Sequence, residues 1–126
     1  MHEELLKKLR YNEQGLIPAI TQCHASDKIL MMAWMDKRAL LETIASGYMH
    51  YWSRSRNKLW KKGETSGHFQ KWRHFYIDCD ADTLLFKVEQ TGHACHTGRP
   101  SCFFSEYDKG HEKLKIDDNS NNNSNK

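Results

Sequence analysis

Phe69-Gln70-Lys71-Trp72-Arg73-His74-Phe75-Tyr76-Ile77, then Asp78-Cys79-Asp80-Ala81-Asp82, then Thr83-Leu84-Leu85-Phe86-Lys87-Val88-Glu89-Gln90 reads as two strands joined by a turn. Aromatic and branched side chains dominate both flanks, as suits a half-buried pleated surface. The turn between them carries three carboxylates and a thiol. A long strand pair of this kind makes a sheet the organising element of the fold.

Working outward, two further apolar runs, Leu16 to Thr21 and Lys28 to Trp34, flank the polar group Cys23-His24-Ala25-Ser26-Asp27 and predict a hairpin. Asp36 stands at an N-cap position, ahead of Ala39, Leu40, Leu41 and Ile44 at helical spacing, and Gly47 supplies the stop. A helix from Asp36 to Ser46 follows. Tyr48 to Ser53 reads as a strand, residues 57–68 as a loop rich in charge and glycine, and Glu3 to Leu9 as a short helix that needs docking to persist. The expected fold class is therefore α+β, mainly antiparallel sheet with one central helix.

The chain has 126 residues, 38% of them hydrophobic, enough for one compact domain over residues 1–116. From Asp117 the run Asp-Asp-Asn-Ser-Asn-Asn-Asn-Ser-Asn-Lys has nothing to bury and is expected to be a disordered tail. No stretch approaches the roughly 20 apolar residues of a membrane span, nor does the start resemble a signal peptide, so a cytoplasmic protein without a membrane partner is expected. The formal charge of +3 is too small to argue for nucleic acid.

Ligand chemistry concentrates between Asp78 and Cys102. In extended backbone Asp78, Asp80 and Asp82 would face one way and Cys79 the other, a carboxylate set suited to a hard cation such as magnesium, calcium or manganese. Calcium-loop spacing fails, because Thr83 stands where that loop requires glycine. Solvated turn carboxylates are the plain alternative. Cys79, Cys95 and Cys102 could supply three thiolates to zinc, leaving a fourth position for water. Paired C-x-x-C knuckles are missing, so a closed structural zinc site fits poorly.

Reach constrains that set. A strand from Thr83 to Gln90 carries the chain roughly 26 Å from Cys79, at about 3.3 Å per residue. The steps from Gln90 to Cys95 recover at most about 18 Å, whereas sulfurs on one zinc lie within roughly 4 Å of each other. Cys79 of one subunit with Cys95 and Cys102 of another satisfies both limits and predicts an obligate homodimer. His96 and His93 flank Cys95, and an imidazole there can carry protons near neutral pH. Cys23, in a polar turn, reads as a surface or packing thiol, and His2, His24, His50, His74 and His111 show no partner pattern.

A basic segment completes the inventory. Arg54, Arg56 and Lys62, with Glu64, Thr65, Ser66 and His68 around Gly63 and Gly67, offer guanidinium forks, hydroxyls and free N–H groups for a phosphorylated small molecule. Neighbouring tryptophans could stack on a base. A solvated charged loop and a single-stranded nucleic-acid surface are the rivals.

Tyr51 to Arg56, Trp60 to His68, Asp78 to Asp82 and Gly92 to Cys102 together resemble the phosphoribosyl-AMP cyclohydrolases of histidine biosynthesis, from about Gly15 to Phe104. The resemblance implies hydrolytic opening of the adenine ring, at N1–C6, of 1-(5-phosphoribosyl)-AMP by zinc-activated water. It implies zinc at Cys79, Cys95 and Cys102 shared across a homodimer, and magnesium at Asp78, Asp80 and Asp82. His96 is the expected proton carrier, with Arg54, Arg56 and Lys62 near substrate phosphate. Trp34 and Asp36 replace tyrosine and asparagine of many relatives, and His93 occupies a position that the family motif leaves open. Some relatives continue into a pyrophosphohydrolase domain, and a monofunctional chain is expected here. The rivals are a zinc-dependent base deaminase, which normally shows H-x-E and P-C-x-x-C, and a non-catalytic zinc module for nucleic acid.

Overall fold

A computed structural model describes residues 2–116; the expected tail lies outside the described residues. The elements run α1 (Glu3–Lys8), β1 (Ile17–Cys23), β2 (Ile29–Met35), α2 (Lys37–Ser46), β3 (His50–Ser53), β4 (Lys58–Lys61), β5 (Gln70–Ile77), β6 (Leu84–Gln90), β7 (Ser105–Asp108) and β8 (Lys113–Ile116). The first six strands form one sheet in the order β4-β3-β2-β1-β6-β5, and β7 pairs only with β8. All neighbours are antiparallel except β1 and β6. The fold is thus α+β with a mainly antiparallel sheet.

Alternation explains the core. Ile17, Ala19 and Thr21 of β1 and Leu84, Phe86 and Val88 of β6 are buried on one face, as a period of two requires. They meet Met35, Met49, Tyr51 and the apolar side of α2, where Ala39, Leu40 and Thr43 are fully buried. Asp36 Oδ1 accepts from the Ala39 N–H at 2.8 Å, and Gly47 ends the helix at φ 83°, a left-handed stop that costs glycine little. Both ends of this helix match the expectation.

Two features depart from the sequence reading. Residues 58–61, expected within a loop, form β4 against β3, because Asn57 takes a left-handed turn at φ 54° that returns the chain antiparallel. Residues 105–116 form a hairpin that has no sharp sequence signal. The short helix expected over Glu3 to Leu9 is present as α1, and its Leu5 and Leu6 pack against the core.

The β5–β6 pair sets the long dimension of the site. Ile77 pairs with Leu84 at one end and Gln70 with Gln90 at the other, about 20 Å apart for a seven-residue strand. The aspartate turn lies beyond the first end. The segment from Thr91 to Cys102 lies beyond the second, tied down where Cys102 N–H donates to Leu30 O at 2.7 Å and Ser101 Oγ to Ile29 O at 2.7 Å.

Candidate functional site

At the aspartate end, ligand atoms of Asp78, Asp80 and Asp82 lie within 4.8 Å of one another, the only such group of three metal-ligating side chains among the described residues. All three are exposed. Extended alternation does not produce this convergence; a turn does. Ala81 adopts φ 63°, and Asp78 Oδ1 accepts from the N–H groups of Asp82 at 3.0 Å and Thr83 at 3.2 Å. Slight desolvation raises the Asp78 carboxyl, but these N–H groups outweigh it and hold the group below the ordinary carboxylate value. Asp82 is pushed up by the hydrogen bond shared with Asp80, by desolvation and by Asp78. Crowded like charges have this effect, and a bound cation would relieve it.

At the opposite end Cys95 and Cys102 lie in hydrogen-bond contact, both as free thiols. Desolvation raises Cys95, yet bonds from the Thr97 hydroxyl, 3.0 Å from Sγ, and from the Thr97 backbone leave it below the ordinary thiol value. Partial burial of its sulfur, then the neighbouring Cys95, pushes Cys102 up to about 11. Two adjacent soft donors fit half of a zinc site. Cys79 is exposed in the aspartate turn, beyond the opposite end of the β5–β6 pair, and among the described residues it forms no group of three ligands with them.

The groups around the thiols are ordered by one another. Ala94 N–H donates to Pro100 O and Cys95 N–H to Arg99 O. His93 Nδ1 lies 2.7 Å from Cys95 O, and the His93 N–H donates to His68 Nδ1 at 3.2 Å. The rings of His68 and His93 meet edge to face at 4.0 Å. His96 is exposed beside Cys95.

The basic residues do not form one patch. Arg56 lines a cavity of about 340 Å³ with Ser53, Lys58, Trp60, Glu64 and Thr65. Arg54 stacks over Trp34 at 4.9 Å and lines a separate cavity with Asn12 and Leu16; those two residues also line the cavity beside Asp80 and Asp82. Lys62 turns toward the thiols, where Nζ donates to Ala94 O at 2.5 Å. Burial lowers its pKa, against the pull of Cys102 and Cys95. Glu64 and Ser66 have structural duties, accepting from the N–H groups of Lys61 and His68.

Sequence reasoning gave no role to Thr97 or Ser53, and it marked Lys58 only as one of the positive residues concentrated with Arg54, Arg56, Lys61 and Lys62. Thr97 carried a weak signal, a hydroxyl two residues from a candidate thiolate. Ser53 carried none of its own, and Lys58 carried only its charge; the pairing of β4 with β3 sets them opposite each other. Cys23, expected to be a surface or packing thiol, lies partly buried against the core.

A family model described as phosphoribosyl-AMP cyclohydrolase matches residues 31–104. A phosphoribosyl-AMP cyclohydrolase of Pseudomonas putida is 50% identical over 113 residues, covering 89% of this chain and 87% of the relative. One of Trichormus variabilis is 54% identical over 108 residues, covering 83% and 93%. The histidine biosynthesis bifunctional protein HisIE of Prochlorococcus marinus is 56% identical over 110 residues, covering 86% of this chain but 49% of that protein. The chain thus spans about half the length of the bifunctional relatives and most of the length of the others.

Proposed function

The chain belongs to the phosphoribosyl-AMP cyclohydrolase family, and from that premise we propose that it hydrolyses the N1–C6 bond of 1-(5-phosphoribosyl)-AMP, in histidine biosynthesis. The product is the formimino aminoimidazole carboxamide ribonucleotide. The observation that carries this function onto the site is the pair of free, adjacent thiols of Cys95 and Cys102, with His96 next to them in an exposed position.

Cys95 and Cys102 of one subunit with Cys79 of another would hold zinc, and Asp78, Asp80 and Asp82 would hold magnesium. When bound, zinc supplies a water acidified toward neutral pH and magnesium a counter-charge for phosphate. The chain's own groups do the rest. Arg56 and Lys58 offer cationic donors to one phosphate in the cavity that Trp60 walls, and an indole face there can stack on a base. Glu64, Thr65 and Ser66 form the adjoining turn, fixed by the bonds to Lys61 and His68. Arg54 serves the second phosphate from the aspartate side.

Chemically, one water adds at C6 and the N1–C6 bond breaks. N1 takes a proton, the exocyclic amino group stays as carboxamide, and no ammonia leaves. His96 would return the proton to N1 from an exposed ring one residue from Cys95. Lys62 holds the Ala94 carbonyl and so positions the thiol turn, with its ammonium offsetting thiolate charge. The enzyme is proposed to act as a cytoplasmic homodimer on a small phosphorylated nucleotide, with no nucleic-acid partner. Among the described residues no helix is long and apolar enough to cross a membrane.

Incubating zinc- and magnesium-loaded protein with phosphoribosyl-AMP should change the ultraviolet absorbance as the ring opens, without ammonia release. His96→Ala should slow this by about 100-fold or more while zinc content stays unchanged. Ammonia released in step with the absorbance change would identify a deaminase, and an unchanged His96→Ala rate would remove the proton-carrier role.

A further inference from the structure

His68 stands just before β5, after the turn that holds Glu64, Thr65 and Ser66, yet its ring lies against Gly92. A Cβ on Gly92 would stand 2.8 Å from the ring's Nδ1 and 3.0 Å from its Cε1 and Cγ, and the φ of Gly92 is 69°. Glycine there serves both a left-handed backbone and the close approach of an imidazole. The His93 N–H donates to His68 Nδ1 at 3.2 Å, and Nδ1 also lies 3.3 Å from His93 O. The amide already carries its proton, so Nδ1 accepts and the neutral ring holds its own proton at Nε2. His93 Nδ1 in turn meets Cys95 O at 2.7 Å.

A chain of polar side chains holds the backbone of His68 from behind. Tyr51 Oη donates to Gln70 Oε1 at 2.6 Å, Gln70 Nε2 to Gln90 Oε1 at 2.8 Å, and Gln90 Nε2 to Thr91 O at 2.9 Å and His68 O at 3.4 Å. Tyr51 and Gln70 are fully buried, and burial above all, then the nearby Cys102, pushes the Tyr51 phenol up and keeps it a donor. A satisfied buried network fixes one orientation where apolar packing alone would permit several.

We infer that His68 is a positioning residue: its ring sets the turn from Gly92 to Cys95, and so registers the Cys95 thiol against the cavity that Arg56 lines. The sequence reading grouped His68 with the phosphate-binding residues, whereas its Nδ1 is taken up by the thiol turn. Two ties reach that turn from residues 62–68, Lys62 Nζ to Ala94 O and His68 Nδ1 to the His93 N–H. They flank Cys95 on its N-terminal side and leave its sulfur to Thr97 and Cys102. The inference rests on the proposal that Cys95 and Cys102 hold zinc. Side chains that orient metal ligands change metal affinity by about 10–100-fold when they are lost.

Zinc competition against a chelator, with steady-state kinetics on the same full-length proteins, tests this role. His68→Ala should weaken zinc binding at least about tenfold and lower kcat, with KM within about threefold of native. His68→Asn, whose Oδ1 can accept from the same N–H, should recover most of the affinity. Gly92→Ala should weaken zinc binding too, and its effect should shrink at least about threefold in a His68→Ala background, where the ring that the methyl would strike is gone. Native zinc affinity in His68→Ala overturns the inference, as does a His68→Asn chain as weak as His68→Ala, or a Gly92→Ala effect equal in both backgrounds. A raised KM with kcat and zinc affinity unchanged would make His68 a phosphate-binding residue and overturns it as well. If native protein binds no zinc at its thiols, the shared centre falls while the positioning role is decided by hydrogen exchange on metal-free native protein, which also decides should His68→Ala not fold. The His93 amide should exchange at least about tenfold more slowly than in an unstructured peptide; exchange at the peptide's rate overturns the role.

Discussion

An equimolar mixture of Cys79→Ala and Cys95→Ala chains, each inactive alone, is expected to recover about a quarter of wild-type activity after subunit exchange. Random pairing makes about half of the dimers mixed, and a mixed dimer assembles one intact centre out of two. The chain carrying Cys79→Ala contributes Cys95 and Cys102; the chain carrying Cys95→Ala contributes Cys79. Were all three thiols drawn from one chain, every centre in the mixture would lack a ligand and nothing would return. Each single variant should fall by at least about a thousandfold, roughly 4 kcal/mol of barrier. Steady-state rates before and after exchange, with heterodimers verified by mass, measure both effects.

Gly63→Ala should destabilise the fold by at least about 3 kcal/mol, the sum of a left-handed backbone penalty and overpacking. Gly63 has φ 88°, and a Cβ there would stand 2.6 Å from the carbonyl carbon of His68 and 2.7 Å from the amide nitrogen of Phe69. These are backbone atoms and cannot rotate aside. The turn they close holds Lys62, which reaches Ala94, and His68, which meets His93, so activity should be lost with stability. Gly67→Ala is the matched control: φ is 81°, but nothing lies within 4 Å of its Cβ position, and about 1–2 kcal/mol is expected. Denaturant titration of both variants separates clash from backbone strain, and equal losses would refute the clash.

The legible parts of this fold were those with strong local chemistry. Asp36 and Gly47 bracket α2 because a carboxylate cap and a left-handed stop are specified by single residues. The flanks of the aspartate turn read as strands because aromatic and branched apolar side chains are concentrated there over seven or eight residues. β4 and the strands of the β7–β8 ribbon have only four residues each, with lysines alternating into β4 and β8 and acidic residues into β7, so their pairing comes from partners and turns. Strand order, including the parallel contact of β1 with β6, is set by which faces must be covered, which no local pattern encodes.

The candidate site shows the same division. Residue types and spacing pointed to the aspartates and thiols, and the length of β6 separates Cys79 from Cys95 as expected. The aspartates converge through a turn at Ala81, a backbone choice that alternation could not reveal. Lys62 reads as one member of a basic run, yet just past the end of β4 it turns away from the Arg56 cavity and toward Ala94 and the thiols. Charge in sequence does not say which way a side chain leaves its strand.

Counting the sulfur ligands of bound zinc by X-ray absorption tests the shared centre most directly. Zinc-loaded native dimer should show three sulfurs, Cys79→Ala should show two, and a chain held monomeric should also show two. Three sulfurs on zinc in the monomer would contradict assembly of the centre from two chains.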